Sequence, residues 1–391
     1  MRKEKLLTNK RSIMKKLLII TLLVSGVTLS ARAQDSKGGI EVPQWVKNIK
    51  FSGYGMLQYQ YEDPEGGDHN EFNLRLFRLI ADGKIGDVDW RAQLQGTNAK
   101  GPGEPTVQLV DLYAEWVKYK EFRVRAGQFK RAFTFENPTH PITQGWYSYA
   151  LVVNNLSGFG DRAGEKSSGG RDIGIQVQGD VLPNSEGRPL VHYQVGVYNG
   201  EGINRKDKDH RKDIIGGMWV MPIKGMRIGA FGWTGSHGGM SAVVEDPSDP
   251  MYGQQVSIGS VGLNRYCLSA EWDKDEYTFR TEYIHSQGWG VAPSQAGKGS
   301  TVIDYSNGNK ADGWYVFGIV PVIKSKLHAK ARYQTYRQAK DWASSKTMYE
   351  VGLNYFFCKN LQLNFEYGLV NNRALAKHNY NFLDLELDFR F

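Results

Sequence analysis

Between Leu383 and the terminal Phe391 every second residue is apolar. Leu383, Leu385, Leu387, Phe389 and Phe391 alternate with Asp384, Glu386, Asp388 and Arg390. A period of two places successive side chains on opposite faces of an extended strand, and no helix keeps such sets apart. One face of this strand is therefore wholly apolar and the other wholly charged. The preceding stretch repeats the pattern, with Leu361, Leu363, Phe365, Tyr367 and Leu369 set against Gln362, Asn364 and Glu366. So does the stretch before it, where Tyr349, Val351, Leu353, Tyr355 and Phe357 face away from Met348, Glu350, Gly352 and Asn354.

Sixteen such stretches begin near residues 50, 71, 88, 106, 122, 170, 190, 212, 226, 259, 277, 312, 326, 347, 361 and 380. Their connections alternate in length. Tight turns such as Gly86-Asp87, Asp273 to Glu276 and Cys358-Lys359-Asn360 alternate with long links such as Thr134 to Gly169, Ser236 to Ile258 and Gly288 to Ala311. Short turns on one side and long loops on the other are the layout of an antiparallel barrel in an outer membrane. Soluble sandwiches and propellers also have many short strands, but they turn apolar residues into a core and polar ones to water. Aromatic-rich outward faces with polar residues gathered on the other side predict the reverse, lipid outside and water within. The expected fold is all-β, a transmembrane antiparallel β-barrel of about 16 strands with short periplasmic turns and long external loops.

The formal charge of +8, from 49 Lys+Arg against 41 Asp+Glu, at first suggests a polyanion-binding protein. Its distribution excludes that. Lys15-Lys16 lead into an apolar run from Leu17 to Leu29, followed by Ser30-Ala31-Arg32-Ala33. A basic segment, an apolar run too short to span a bilayer and a small-x-small cleavage site predict a removed secretory signal peptide over residues 1–33. Its removal takes eight cations and one anion, +7 of the +8. The expected organisation is then signal 1–33, a short periplasmic segment 34–48 and one barrel domain 49–391. No nucleic-acid partner is expected, and two cysteines among 391 residues exclude a disulfide framework.

Several of these stretches resemble the phosphate-selective porin O and P family of Gram-negative outer membranes. They are Arg125-Ala126-Gly127-Gln128-Phe129-Lys130-Arg131-Ala132-Phe133-Thr134-Phe135-Glu136, then Arg171 to Gly179, and Tyr193 to Gly202 with the charged segment after it. Ala132 stands where the family usually has proline. The terminal Phe391 is similar to the end signal that the barrel-assembly machinery reads. The resemblance implies a sixteen-stranded homotrimeric channel in the outer membrane, in contact with its lipid and lipopolysaccharide. It also implies an inward-folded loop that narrows the lumen, passive diffusion of small hydrophilic solutes and a weak preference for anions or phosphate.

Alternation assigns lumen residues independently of the family. With Trp90, Ala92 and Leu94 facing lipid, Arg91, Gln93 and Gln95 turn inward; with Val110, Leu112, Ala114 and Trp116 outward, Asp111, Tyr113 and Glu115 turn inward. Phe122, Val124 and Ala126 outward leave Arg123 and Arg125 inside. A phase break between Leu76 and Phe77 suggests a bulge that lets both Arg75 and Arg78 point inward. The expected anion-contacting residues are Arg75, Arg78, Arg91, Arg123, Arg125, Lys130 and Arg131. Arg162 and Lys166 lie in the long loop. An opposing acidic lumen wall is expected from Asp111, Glu115, Glu350, Glu366, Asp384, Glu386 and Asp388. Segregated charge of this kind orients dipolar solutes, whereas a ring of cations selects anions. The competing reading is that inward charges merely pair across the strand, as Arg123 with Glu115.

Other signals point nowhere. Gly297-Lys298-Gly299-Ser300 lacks the first glycine and the hydroxyl residue of a phosphate loop. The eight histidines show no zinc spacing, and Asp207, Asp209 and Asp213 lack the glycine of a calcium loop, so neither metal nor cofactor is expected. Two alternatives to a channel remain: a closed-barrel binding protein or adhesin acting through its external loops, and a barrel hydrolase. The hydrolase would need a triad that His285, Ser286 and the distant Asp273 do not assemble. Cys267 should face the lumen in mid-barrel and Cys358 should lie in a periplasmic turn, which predicts no disulfide between them.

Overall fold

The computed structural model describes residues 48–391 except 65, 98–106, 160–168, 208, 245, 289, 292–302 and 305–309. The expected signal peptide, nearly all of the segment ahead of the barrel, Arg162, Lys166 and the 297–300 sequence lie outside the described residues.

Sixteen strands close into one antiparallel barrel. They are β1 (Lys50–Glu62), β2 (His69–Ile85), β3 (Val88–Gly96), β4 (Val107–Trp116), β5 (Arg123–Lys130), β6 (Arg171–Pro183), β7 (Pro189–Tyr198) and β8 (Asp213–Val220). The second half comprises β9 (Met226–Val243), β10 (Gln255–Lys274), β11 (Tyr277–Gly288), β12 (Lys310–Ile323), β13 (Leu327–Arg337), β14 (Ser345–Cys358), β15 (Leu361–Asn372) and β16 (Asn379–Arg390). Each strand pairs with its sequence neighbours, and β1 pairs with β16 from Tyr54↔Arg390 to Glu62↔Phe382. Closure leaves no unpaired ladder, the condition for backbone to cross a hydrocarbon layer. Phe391 extends the seam: its N–H donates to the Gly53 carbonyl at 3.0 Å, and the Gly53 N–H donates back at 2.9 Å.

The distribution of polarity is inside out for a water-soluble protein. Tyr349, Val351, Leu353, Leu369, Leu385 and Phe389 are exposed, whereas Glu350, Asn354, Glu366, Asp384, Glu386 and Asp388 on the same strands are buried. Only an apolar surrounding makes that arrangement stable.

Two bulges correct the expected phase. Met56 pairs with Leu76 and Leu57 with Leu74, so the extra residue in β2 is Arg75 rather than one at the Leu76/Phe77 step. Gln93 pairs with Asp111 and Leu94 with Leu109, which leaves Val110 as an extra residue in β4. Val110 is consequently buried rather than facing lipid.

The expectation of a uniformly polar interior is also corrected. The chain from Thr134 to Phe159 turns into the barrel, carrying two short helices, α1 (Pro141–Gln144) and α2 (Leu151–Leu156). Phe133, Phe135, Trp146, Tyr149, Val152, Val153 and Leu156 pack there against Phe231, Trp233, Leu263, Cys267, Ile284, Tyr315 and Phe317. The inner face of β9 to β12 thus carries an apolar patch where it receives this loop, beside buried charges that include Arg265, Glu271, Arg280 and Glu282. A period-two pattern separates two faces without saying which apolar side chains meet lipid and which meet protein.

Candidate functional site

With the loop packed against β9 to β12, a cavity of about 200 Å³ remains between residues 138–140 of the loop and the inner wall of β2 to β6. It is lined by Arg78, Arg91, Arg125, Lys130 and Arg171, by the rings of Tyr113, Phe129 and His140, and by a single carboxylate, Asp111. Cross-strand register, rather than a single alternation phase, brings these cations to one space. Arg91 lies beside Tyr113 in the β3/β4 register, Arg125 faces Glu115 across β4/β5, and Lys130 pairs with Arg171 across β5/β6.

Three of the five cations are matched by carboxylates. Arg91 holds Asp82 at 2.7 Å, Arg125 holds Glu115 at 2.6 Å and Arg171 holds Asp111 at 2.7 Å. The other two have neutral partners. Arg78 donates through Nε and Nη2 to Gln95 Oε1 at 3.0 and 2.7 Å. Lys130 donates to Asn137 Oδ1 at 3.3 Å, with its Nζ 4.7 Å from the centre of the Phe159 ring and 5.2 Å from that of Tyr149. Among the described residues the cavity therefore carries an excess of two positive charges. Arg125 also stacks 4.6 Å over Tyr113, which fixes its guanidinium plane.

Of the seven expected anion-contacting residues, Arg78, Arg91, Arg125 and Lys130 meet at this cavity and three lie elsewhere. Arg75 does point inward, but it binds Glu386 at 2.7 Å and the Trp146 carbonyl. Arg123 pairs with Asp180 at 2.7 Å, not with Glu115. Arg131 is fully buried, with Nη2 3.0 Å from Asp172 and Nη1 donating to the Gly158 carbonyl. Arg171 was missed; it opens β6 in the opposite phase to the inward Gln176 and Gln178 and reaches the cavity from the loop end of the strand, so alternation did not reveal it.

The acidic set divides. Asp111 and Glu115 belong to the cationic wall as partners of Arg171 and Arg125. Glu350, Glu366, Asp384, Glu386 and Asp388 do face inward on β14 to β16, but they are buried. Glu350 pairs with Arg332 and Glu366 with Lys330, each at 2.7 Å, and both cations escaped the sequence reading. Asp384 accepts from Gln58, and Asp388 from Gln362 and Asn364.

Ala132 lies at the end of β5, and its N–H donates to Tyr198 Oη at 3.2 Å, a bond that proline cannot make. Asp207, Asp209 and Asp213 are taken up by protein donors: Asp207 accepts from the Asp209 N–H, Asp209 from the Ser236 and Ser260 hydroxyls, and Asp213 from the Ser236 N–H and the Trp233 indole. Ser286 accepts from Arg265, whereas His285 stacks on Tyr266, so the two side chains do not meet. Cys267 is buried and Cys358 exposed, both as free thiols.

A family model described as phosphate-selective porin O and P matches residues 51–291. No match is found among curated proteins. Among solved structures, an anion-selective porin from Comamonas acidovorans is similar at a TM-score of 0.59 and 11% identity, covering 88% of this chain and 99% of that one. OprB of Pseudomonas putida has a TM-score of 0.59 at 9% identity, covering 88% and 94%. The trimer form of OmpT, an outer membrane protein of Vibrio cholerae, has a TM-score of 0.54 at 13% identity, covering 88% and 99%. Such low identities establish the shared barrel fold.

Proposed function

The chain belongs to the phosphate-selective porin O and P family, and from that premise we propose that this outer-membrane porin passes small hydrophilic solutes with a preference for anions. The observation that carries the preference is the cavity beside β2 to β6, where Arg78 and Lys130 lack carboxylate partners. A solute crossing there exchanges hydration for guanidinium and ammonium contacts, and cation-lined constrictions favour anions. Phosphate fits the chemistry, since Arg125 spends Nε and Nη2 on Glu115 and keeps Nη1 for an oxyanion beside Arg78 and Lys130. A dianion would neutralise the excess of two charges. Export through residues 1–33, recognition of Phe391 during assembly and association into a homotrimer are parts of the same proposal. The fold of the OmpT trimer form is consistent with the last.

The reversal potential of the purified protein in a salt gradient, with and without phosphate, tests the reading. Anion preference that phosphate reduces through competition is the expected result. A cation-selective pore would reject the arginine assignment, and the absence of ohmic steps in planar bilayers would reject the channel itself.

A further inference from the structure

The carboxylates of β14 to β16 form no open wall, and their cations reach past them to the loop. Glu366 holds Lys330, whose Nζ donates onward to the Gly145 carbonyl at 2.7 Å. Glu350 holds Arg332, which donates through Nη1 to the Ser148 carbonyl at 2.9 Å. Glu386 holds Arg75, which reaches the Trp146 carbonyl at 3.4 Å. The same relay thus occurs three times: a buried carboxylate orients a cation, and the cation grips a loop carbonyl.

Neutral groups, one further arginine and one carboxylate complete the attachment. Asn354 donates to Gly145 O and Gln362 to Ile142 O, while Arg390 donates to Ile142 O at 3.0 Å. In the opposite sense, the Tyr147 N–H donates to Glu366 at 2.6 Å and the Leu151 N–H to Gln334 at 2.7 Å. The indole of Trp146 lies beneath both cations, 4.4 Å from Arg332 Cζ and 4.9 Å from Lys330 Nζ. An irregular segment has no ladder of its own, and its buried N–H and C=O groups require partners. Between Ile142 and Leu151 the wall supplies them from five strands, β2 and β13 to β16, while Glu282 of β11 and Arg265 of β10 hold the loop's two ends at Phe135 and Leu156.

We infer that the Glu350/Arg332, Glu366/Lys330 and Glu386/Arg75 pairs are a latch that sets the position of the constriction loop and hence the width of the pore. They are positioning residues and lie off the solute path. This rests on the channel reading above. It assigns different duties to the two charged groups: the cations that line the β2 to β6 cavity discriminate solutes, and the β13 to β16 wall, with Arg75 of β2, holds the gauge. Buried, hydrogen-bonded charges suit the second duty, because each bond fixes a direction as well as a distance.

The test joins hydrogen exchange of the full-length barrel in detergent to planar-bilayer recording. In the unmodified protein, the Tyr147 and Leu151 amides should exchange as slowly as strand amides. The paired variant Arg332→Gln with Glu350→Gln removes one relay without stranding a charge. It should speed exchange of the 141–151 segment more than tenfold, raise single-channel conductance about twofold and lower anion preference. Arg332→Lys alone should restore much of the original conductance. If the paired variant fails to assemble, Asn354→Leu with Gln362→Leu cuts two loop contacts without altering a charge and should shift both readouts the same way. Unchanged exchange and conductance in the variants, or fast exchange of Tyr147 and Leu151 in the unmodified protein, would overturn the latch. Absence of conductance in the unmodified protein would instead strike the channel reading, and the exchange measurements would still decide the latch.

Discussion

Lys130→Met isolates one of the two unmatched cations. Methionine keeps the length and apolar stem of lysine and packs against aromatic rings such as Tyr149 and Phe159, so the change is close to a pure deletion of charge. A cavity of about 200 Å³ places a centred anion ~6 Å from the ammonium group. At that distance one unit charge contributes ~0.7 kcal/mol at the dielectric constant of water and ~3 kcal/mol at an effective value of 20. A water-filled space with protein walls lies between these limits, and ~1.4 kcal/mol corresponds to a tenfold loss of anion occupancy. The assay is the reversal potential across a KCl gradient, with Lys224→Met as the control. Lys224 lies in the turn between β8 and β9, and its loss changes the net charge of the protein identically. The anion-to-cation permeability ratio should fall about tenfold for Lys130→Met and stay unchanged for Lys224→Met, with the difference shrinking toward 1 M salt as screening shortens to ~3 Å. Equal shifts in the two variants, or none in either, would refute a local electrostatic filter.

Arg123→Ala should leave selectivity almost unaltered while Arg125→Ala reduces it, because only Arg125 lines the cavity; paired reversal potentials decide this. Gly127 has φ +131° and an added Cβ would lie 2.2 Å from the Leu112 carbonyl, so Gly127→Ala should destabilise the barrel by ~1–3 kcal/mol, read by urea unfolding in micelles. A maleimide should label Cys358 in the folded protein and reach Cys267 only after denaturation, with no cross-linked peptide in the mass spectrum. In the turn between β10 and β11, the Ser325 N–H, the His328 ring and the Ser325 hydroxyl lower the pKa of Glu276 from 4.5 to about 2. A depressed carboxylate pKa means that this link between neighbouring turns is present at neutral pH and is lost only as pH falls through about 2. Exchange of the Ser325 amide should therefore remain slowed at pH 3.5, and release near pH 4.5 would contradict the assignment.

The strands were legible almost to the residue because alternation is a local property of extended backbone. Stretches expected near 226, 277 and 361 begin at Met226, Tyr277 and Leu361, and the largest displacement, at Gln255, lies where a long external link joins a strand. Arg91 and Arg125 at the cavity followed from the same rule, and Arg78 from it together with a bulge, whereas Lys130 stands in the opposite phase to Arg125. Arg123 and Arg131 did not reach the cavity, because alternation turns a side chain inward without setting its height in the barrel or the carboxylate it meets. Asp180 and Asp172 take these two arginines across the ladder. The paired fate of inward charge, weighed from the sequence as the competing reading, holds for Arg75, Arg123 and Arg131 and fails for Arg78 and Lys130.

The sequence by itself determined that this chain is a barrel, how many strands close it and which face of most strands turns inward. Period-two patterning and alternating loop lengths encode these properties residue by residue. Tertiary structure alone decided what the inward faces touch. The loop from Thr134 to Phe159 fills the apolar side of the lumen, is gripped by the acidic side and leaves the cationic side open. Those contacts join residues as distant as Gly145 and Lys330, 185 positions apart. A local pattern carries no information about such pairs, because their meeting depends on the closure of the whole barrel. The selectivity and pore width proposed above rest on where one loop comes to rest among charges that the pattern could only place inside.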